Sequence, residues 1–288
     1  MKIAIQGIKG SFHHIVAQQY FSEIENLVEC KSFSQVTQLV ASDQVDYGVL
    51  AIENSIAGAI LPNYTLIDEE QITIAGEHYL NVQLNLMAVE GQKMEDIKEV
   101  HSHPMALLQC RAFFKAYPHI RLVEATDTAS VAKRIADGSL QGIAAVGSEI
   151  AAKKYDLEIL TSRIQTVKEN QTRFVIVEKK ESKNTSLPNK ASIKFALEHI
   201  KGGLGDVLVS IASNRVNLTK IQSLPVIENP WEYEFFADLV FEEYNDFKNA
   251  MIDIKDKVHS YKILGEYRQN KSKIDINIKL EEGNYGKH

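Results

Sequence analysis

Over its first 178 residues the chain alternates short apolar runs with helical patterns, and this alternation constrains its fold more than any other feature. Residues 2–6, 27–33, 47–52, 72–76, 84–89, 99–102, 122–125, 142–146 and 174–177 read as strands. Helices are predicted over 14–21, around 36–40, from 104 to about 116, over 127–136 and over 149–155. Asp127 is placed to cap its helix and Gly138 to end it. Repeated β-α-β units predict an α/β fold with mainly parallel sheets.

The pattern then changes. Residues 178–190 read EKKESKNTSLPNK, a polar, charged stretch with the character of a linker. Beyond it Ala191, Ile193, Phe195 and Leu197 alternate as a strand does. A helix over 204–212, strands over 218–227 and 233–241 about a turn at Pro230, a helix over 247–258 and a strand over 263–267 follow. The order β-α-β-β-α-β predicts a ferredoxin-like module. The expected division is a first domain over 1–178, a linker over 179–189, the second module over 190–275 and a polar tail over 276–288.

Composition excludes several classes. With 32 basic and 38 acidic residues the net charge is −6, against the basic balance of a general nucleic-acid binder. Residues 1–178 carry 15 bases and 22 acids, so the acidity lies in the first domain. No apolar run approaches the ~20 residues that cross a bilayer, and Gln6, Gly7, Lys9 and Gly10 interrupt any signal-peptide core, so no membrane partner is expected. Cys30 and Cys110 are too few for a disulfide framework, and a reducing cytoplasmic location is expected.

In open α/β sheets ligands bind beyond the carboxyl ends of strands. The residues found there are Gly7 to Phe12, Glu53-Asn54-Ser55, His103-Pro104 with Gln109 on the next helix, Thr126-Asp127-Thr128 and Gly147-Ser148. Taken singly, each has an ordinary explanation as a tight turn or a helix cap. Together they place hydroxyls and amides beside helix N-termini, a setting suited to a carboxylate or phosphate. Gly7 and Gly10 give GxxG rather than the dinucleotide GxGxxG, which leaves a nucleotide-dependent enzyme with weak support. His13-His14 has no third ligand at a metal-binding spacing, so no metal is expected. Cys110 reads as a buried small hydrophobe.

These motifs, in this order, resemble the prephenate dehydratase family over nearly the whole chain. The resemblance rests on Gly7 to Phe12, on Ile52-Glu53-Asn54-Ser55 with Gly58, and on Ser102-His103-Pro104 with Gln109-Cys110. It rests further on Asp127-Thr128-Ala129, on Ala144-Ala145, on Asn170 with Thr172-Arg173-Phe174, and on Asn217 to Ile221 in a C-terminal module like the ACT regulatory domain. It implies an α/β catalytic domain of two lobes like type II periplasmic binding proteins (about 1–76 with 165–178, and 77–164), followed by the ferredoxin-like ACT domain. It implies conversion of prephenate to phenylpyruvate, water and carbon dioxide, with no cofactor. Thr172 is then the residue tied to protonating the departing hydroxyl. Ser11, Glu53, Asn54, Ser55, Ser102, Gln109, Arg173 and Phe174 carry over as substrate-binding residues, although Arg173 has an equal reading as a structural arginine.

The module implies feedback by phenylalanine at Gly202, Gly203, Leu204, Asn217, Leu218, Gln222, Ser223, Leu224 and Pro225, and assembly as a homodimer or homotetramer. Three positions depart from the family. His13 stands where a small hydroxyl is usual, Gly202-Gly203-Leu204-Gly205 replaces a G-A-L turn, and Gln222-Ser223-Leu224-Pro225 replaces E-S-R-P. A fused chorismate mutase is not expected, because no helical extension precedes Met1. The alternatives are an arogenate dehydratase, which acts on the aminated substrate, and a non-catalytic amino-acid sensor.

Overall fold

The computed structural model describes residues 1–179, 187–197, 201–225 and 233–270. Most of the expected linker, the Pro230 turn and the polar tail lie outside the described residues.

The chain begins β1 (Lys2–Gln6), α1 (Phe12–Tyr20), β2 (Asn26–Cys30), α2 (Phe33–Ala41), β3 (Tyr47–Asn54), β4 (Gly58–Ala59), α3 (Leu61–Glu69), β5 (Thr73–Asn81) and β6 (Asn85–Ala88). A 3-10 turn (Met94–Asp96) precedes β7 (Glu99–Ser102), α4 (Pro104–Gln109), α5 (Arg111–Phe114), β8 (Arg121–Glu124), α6 (Thr128–Asp137), β9 (Ile143–Gly147), α7 (Glu149–Lys154), β10 (Glu158–Thr161) and β11 (Gln171–Glu178). Then come β12 (Lys190–Ala196), α8 (Gly203–Ser213), β13 (Asn217–Pro225), β14 (Tyr233–Val240), α9 (Tyr244–Lys255) and β15 (Ser260–Tyr267). By packing, Met1–Ile60 with Leu80–Phe174 form one compact unit, and Leu61–Tyr79 with Val175–His288 form a second.

One sheet has the order β2-β1-β3-β11-β5, with the short β4 paired to β3. β1 pairs in parallel with both β2 and β3, as β-α-β units require. The other large sheet, β10-β6-β9-β7-β8, is mixed and corrects the expectation of mainly parallel sheets. β7 is parallel to β8 and β9, whereas β6 is antiparallel to both β9 and β10. All four residues of β6 are buried. A run buried on both faces gives no periodicity from which strand direction can be read. α3 and β10 are further elements that the apolar pattern did not announce. α3 buries only Asn63, Tyr64 and Ile67, a narrow face that includes a polar residue.

The helix expected over 104–116 is two helices. Cys110 has φ −99° and ψ 3°, so α4 stops at Gln109 and α5 restarts at Arg111. The Gln109 carbonyl instead accepts from the Thr166 backbone N–H at 2.9 Å and from its hydroxyl at 3.0 Å. Elsewhere the local signals agree with the fold. Ser11, Ser32, Asp127 and Ser148 each cap the helix that follows. Gly7 and Gly10 have φ of +88° and +99°, which glycine alone adopts without strain, and a Cβ on Gly10 would meet Ala151 Cα at 3.1 Å.

The four-stranded sheet β13-β14-β12-β15 is antiparallel between neighbours and carries α8 and α9, the ferredoxin-like order. Its core packs Ile193, Phe195, Val207, Ile211, Leu239 and Phe247. In the same unit Lys190 on β12 meets Glu77 on β5 at 2.8 Å, with their side chains only 3% and 0% exposed. Asp68 on α3 accepts from Lys194 at 2.6 Å and Lys262 at 2.7 Å. Among the described residues no helix is long and apolar enough to cross a membrane.

Candidate active site

β3 runs two residues beyond its apolar run, and Glu53 and Asn54 then pair with Ala59 and Gly58 of β4. Inside this turn the Asn54 Oδ1 accepts from the backbone N–H groups of Ile56 at 3.0 Å and Ala57 at 2.9 Å. Backbone nitrogen can only donate, so these bonds fix which end of the amide is oxygen. The Asn54 Nδ2 is therefore turned to β11 and its approach. It donates to Asn170 Oδ1 at 2.8 Å and Thr172 Oγ1 at 2.8 Å, with a longer contact to the Gln171 carbonyl at 3.3 Å.

The same logic runs outward from Asn54. Thr172 Oγ1 is an acceptor from Asn54, and its own hydrogen has no acceptor among the described residues. Asn170 uses its oxygen on Asn54, so its Nδ2 donates to Gln109 Oε1 at 2.9 Å. Gln109 in turn presents its Nε2 as a donor. A chain of amides polarised by two backbone N–H groups thus points donors, not acceptors, from Thr172 and Gln109.

Both residues line a cavity of about 410 Å³ within the first unit. Side chains alternate along β11, so Thr172 and Phe174 face the cavity. Arg173 is buried and does not line it. Ser11 and Asn54 also line it. The hydroxyl of Ser11 accepts from the His14 N–H at 3.2 Å as the cap of α1.

Three other expected substrate contacts are not among the residues that line the cavity, two of them for a visible reason. Ser102 is fully buried, and its hydroxyl donates to the Val146 carbonyl at 2.7 Å, tying β7 to β9. Ser55 exchanges two bonds with Gln171, its N–H donating at 2.8 Å and its hydroxyl accepting at 3.0 Å, which fastens the end of β3 to β11. Glu53 is half-buried in β3 and is not among the cavity-lining residues.

In the C-terminal module Gly202 precedes α8 with φ +87°, and nothing lies within 4 Å of a Cβ placed on Gly202 or Gly203. Leu204 packs against the module's core. Asn217 and Leu218 begin β13, and Gln222, Ser223, Leu224 and Pro225 end it, so these residues form two groups on one edge strand. Gln222 Nε2 donates to the Ser223 carbonyl at 3.2 Å.

Several residues in or beside the cavity were not among the expected site residues. Asn170, wholly buried, holds Asn54 and Gln109 together; its signal was its place in the motif that contains Thr172. Thr126, Asp127, Thr128 and His103 line the cavity from the strand ends where a ligand was expected, but they read as caps. Asp127 does cap α6, its two oxygens accepting from the N–H and the hydroxyl of Ser130, both at 2.7 Å. Burial holds His103 below the usual imidazole range against the opposing pull of Asp127 and Glu124. His13 lines the cavity between Phe33 and Phe174, and burial pushes its pKa down to about 3.

No lysine or arginine is among the described residues that line the cavity. An anion there would be met by neutral donors and by the N-terminal turns of α1 and α6, which carry positive partial charge. The described residues hold no cluster of three or more His, Cys, Asp or Glu side chains arranged to hold a metal ion.

The family described as Prephenate dehydratase matches residues 3–182. The Bifunctional chorismate mutase/prephenate dehydratase of Aquifex aeolicus is 34% identical over 271 residues, spanning 93% of this chain and 73% of that protein. Among solved structures, GqqA, described as a novel type of quorum quenching acylase, has a TM-score of 0.84 at 25% identity, covering 94% of this chain and 98% of its own. The prephenate dehydratase of Arthrobacter aurescens in complex with L-Phe has a TM-score of 0.83 at 21% identity, covering 99% of this chain and 97% of its own.

Proposed function

This chain belongs to the prephenate dehydratase family, and on that premise we propose how its own residues carry the reaction. The activity is a lyase reaction of phenylalanine biosynthesis, in which prephenate becomes phenylpyruvate, water and carbon dioxide. The fold is α/β, a two-lobed domain like type II periplasmic binding proteins followed by a ferredoxin-like module. The electron pair of the breaking ring-carboxylate bond moves through the ring and expels the ring hydroxyl, which takes up one proton to leave as water. Aromatisation drives the step, so the protein's part is orientation and a hydrogen bond to the departing oxygen.

In our reading Thr172 makes that bond. The observation that carries it is the Asn54 Nδ2 to Thr172 Oγ1 bond, which leaves the threonine hydrogen for the substrate. Gln109 presents a second donor, and Ser11 and Phe174 shape the remaining wall. Glu53, Ser55, Ser102 and Arg173 act as supports for β3, β7 and β11 rather than as contacts. Carboxylate affinity comes from neutral donors and the α1 and α6 N-termini. We take residues 1–178 as the catalytic domain, 179–189 as the linker and 190–275 as the regulatory domain. Phenylalanine binds the regulatory domain at the two ends of β13 and the start of α8, which is supported by the module's ferredoxin-like order. The outer edge of β13, which has no strand partner among the described residues, suits a homodimer or homotetramer, and the enzyme works in the cytoplasm.

The test is turnover of prephenate by the purified chain, with phenylpyruvate as the readout. Thr172→Ala is expected to lower kcat at least tenfold, about 1.4 kcal/mol in the barrier. Near-normal kcat in that variant removes Thr172 from the mechanism. Titration with phenylalanine, read by both inhibition and calorimetry, tests the regulatory part separately.

A further inference from the structure

His13 occupies a position at which the family resemblance calls for a small hydroxyl, and its surroundings define what the ring can do. Its Nε2 accepts from the Ala51 backbone N–H at 3.3 Å. That bond requires a bare Nε2, so the ring hydrogen sits on Nδ1. Phe174 meets the ring edge-on, with centroids 5.0 Å apart, and Phe33 meets it at 5.4 Å. The residue is 8% exposed and is among those that line the cavity. Among the described residues nothing accepts from Nδ1–H. The ring is thus a clamped, neutral donor in the cavity wall, and it cannot turn over to become an acceptor without losing Ala51.

Its packing on Phe174 suggests which part of a substrate it meets. Phe174, against which it packs, is two residues along β11 from Thr172, about 7 Å at the usual strand rise. That is close to the span from the ring hydroxyl of prephenate, across the ring, to the arm on the opposite carbon. With the hydroxyl placed at Thr172, the arm would extend along the wall that Phe174 and His13 share.

We propose that His13 is a specificity-determining residue, whose Nδ1–H donates to the keto oxygen of the substrate's side arm and so selects the keto substrate over its aminated counterpart. This rests on the prephenate dehydratase reading given above. A keto oxygen accepts a hydrogen bond, whereas an ammonium group only donates. A donor fixed opposite a donor leaves both unpaired, and sites built in this way discriminate strongly.

The experiment measures kcat and KM for prephenate and for arogenate with the wild type, His13→Ser and His13→Gln. His13→Ser is expected to raise KM for prephenate at least fivefold, by more than it lowers kcat, and to cut the prephenate-to-arogenate ratio of kcat/KM at least tenfold. Glutamine can accept from Ala51 with its oxygen and donate with its nitrogen, so His13→Gln keeps the ratio within about threefold of wild type. In long-range 1H–15N spectra the ring Nδ1 resonance shifts when the wild type is saturated with phenylpyruvate. An unchanged ratio and KM in a folded His13→Ser, a wild type that prefers arogenate, or an unmoved Nδ1 resonance each overturns the proposal while leaving the dehydratase reading in place. A wild type inactive on both substrates overturns that reading and the proposal with it.

Discussion

Asn54 Nδ2 donates to Thr172 Oγ1 at 2.8 Å, and the direction of that bond is dictated by the Ile56 and Ala57 backbone N–H groups that hold the other end of the amide. Asn54→Asp keeps the oxygen those groups need and removes the donor. Thr172 would then turn its hydrogen to the new carboxylate and away from the cavity. We expect kcat to fall about a hundredfold, near 2.7 kcal/mol, with thermal unfolding little changed. Steady-state kinetics beside a melting curve decide the matter, and wild-type kcat in a folded Asn54→Asp would show that the polarity of the chain is immaterial.

Asn170 never touches the cavity yet joins Asn54 to Gln109. Asn170→Ala takes the partner from the half-buried Gln109 Oε1 and one of three acceptors from the half-buried Asn54 Nδ2. The expected loss of stability is roughly 1–3 kcal/mol, read by urea unfolding, together with a lowered kcat because both amides lose their orientation. A purely structural asparagine would show the first effect without the second.

The Lys190–Glu77 pair is almost completely buried. Removing one member strands the other as an uncompensated charge. Lys190→Met or Glu77→Leu alone is expected to destabilise by about 3–5 kcal/mol, and the double variant by much less. A chemical-denaturation cycle over the four proteins measures the coupling. Additive single effects would contradict a direct pairing of the two charges.

Burial holds His13 near a pKa of about 3, against an ordinary 6.5. Between those values the unfolded chain binds a proton that the folded chain does not, so stability is full above about pH 6.5 and falls as the pH drops towards 3. His14 and His103, also lowered by burial, contribute with the same sign. Unfolding free energies measured from pH 4 to 8 should slope less steeply in His13→Gln than in the wild type. Equal slopes would mean that His13 is solvated when folded.

Much of this was legible along the chain. The alternation of strands and helices, the caps at Ser11, Asp127 and Ser148 and the glycine turn at Gly7 and Gly10 follow from local rules about periodicity, side-chain oxygens and positive φ. The order of the C-terminal module and the motifs around Asn54, Gln109 and Thr172 are equally local. Less visible were the antiparallel insertion of β6 and the break at Cys110. Both depend on partners distant in sequence, β9 for the first and Thr166 for the second.

The sequence by itself determined which residues stand at strand ends and so which could meet a ligand. Only the tertiary structure decided which of them face the cavity. Thr172 and Arg173 are neighbours in one motif, but the two-residue pleat of β11 sends one to the cavity and the other away from it. Asn54 and Thr172 lie 118 residues apart, and the sense of their hydrogen bond depends on backbone groups that the β3–β4 turn brings to hand. A side chain's chemistry is written in the sequence, but the direction in which it donates is set by what the fold places against it.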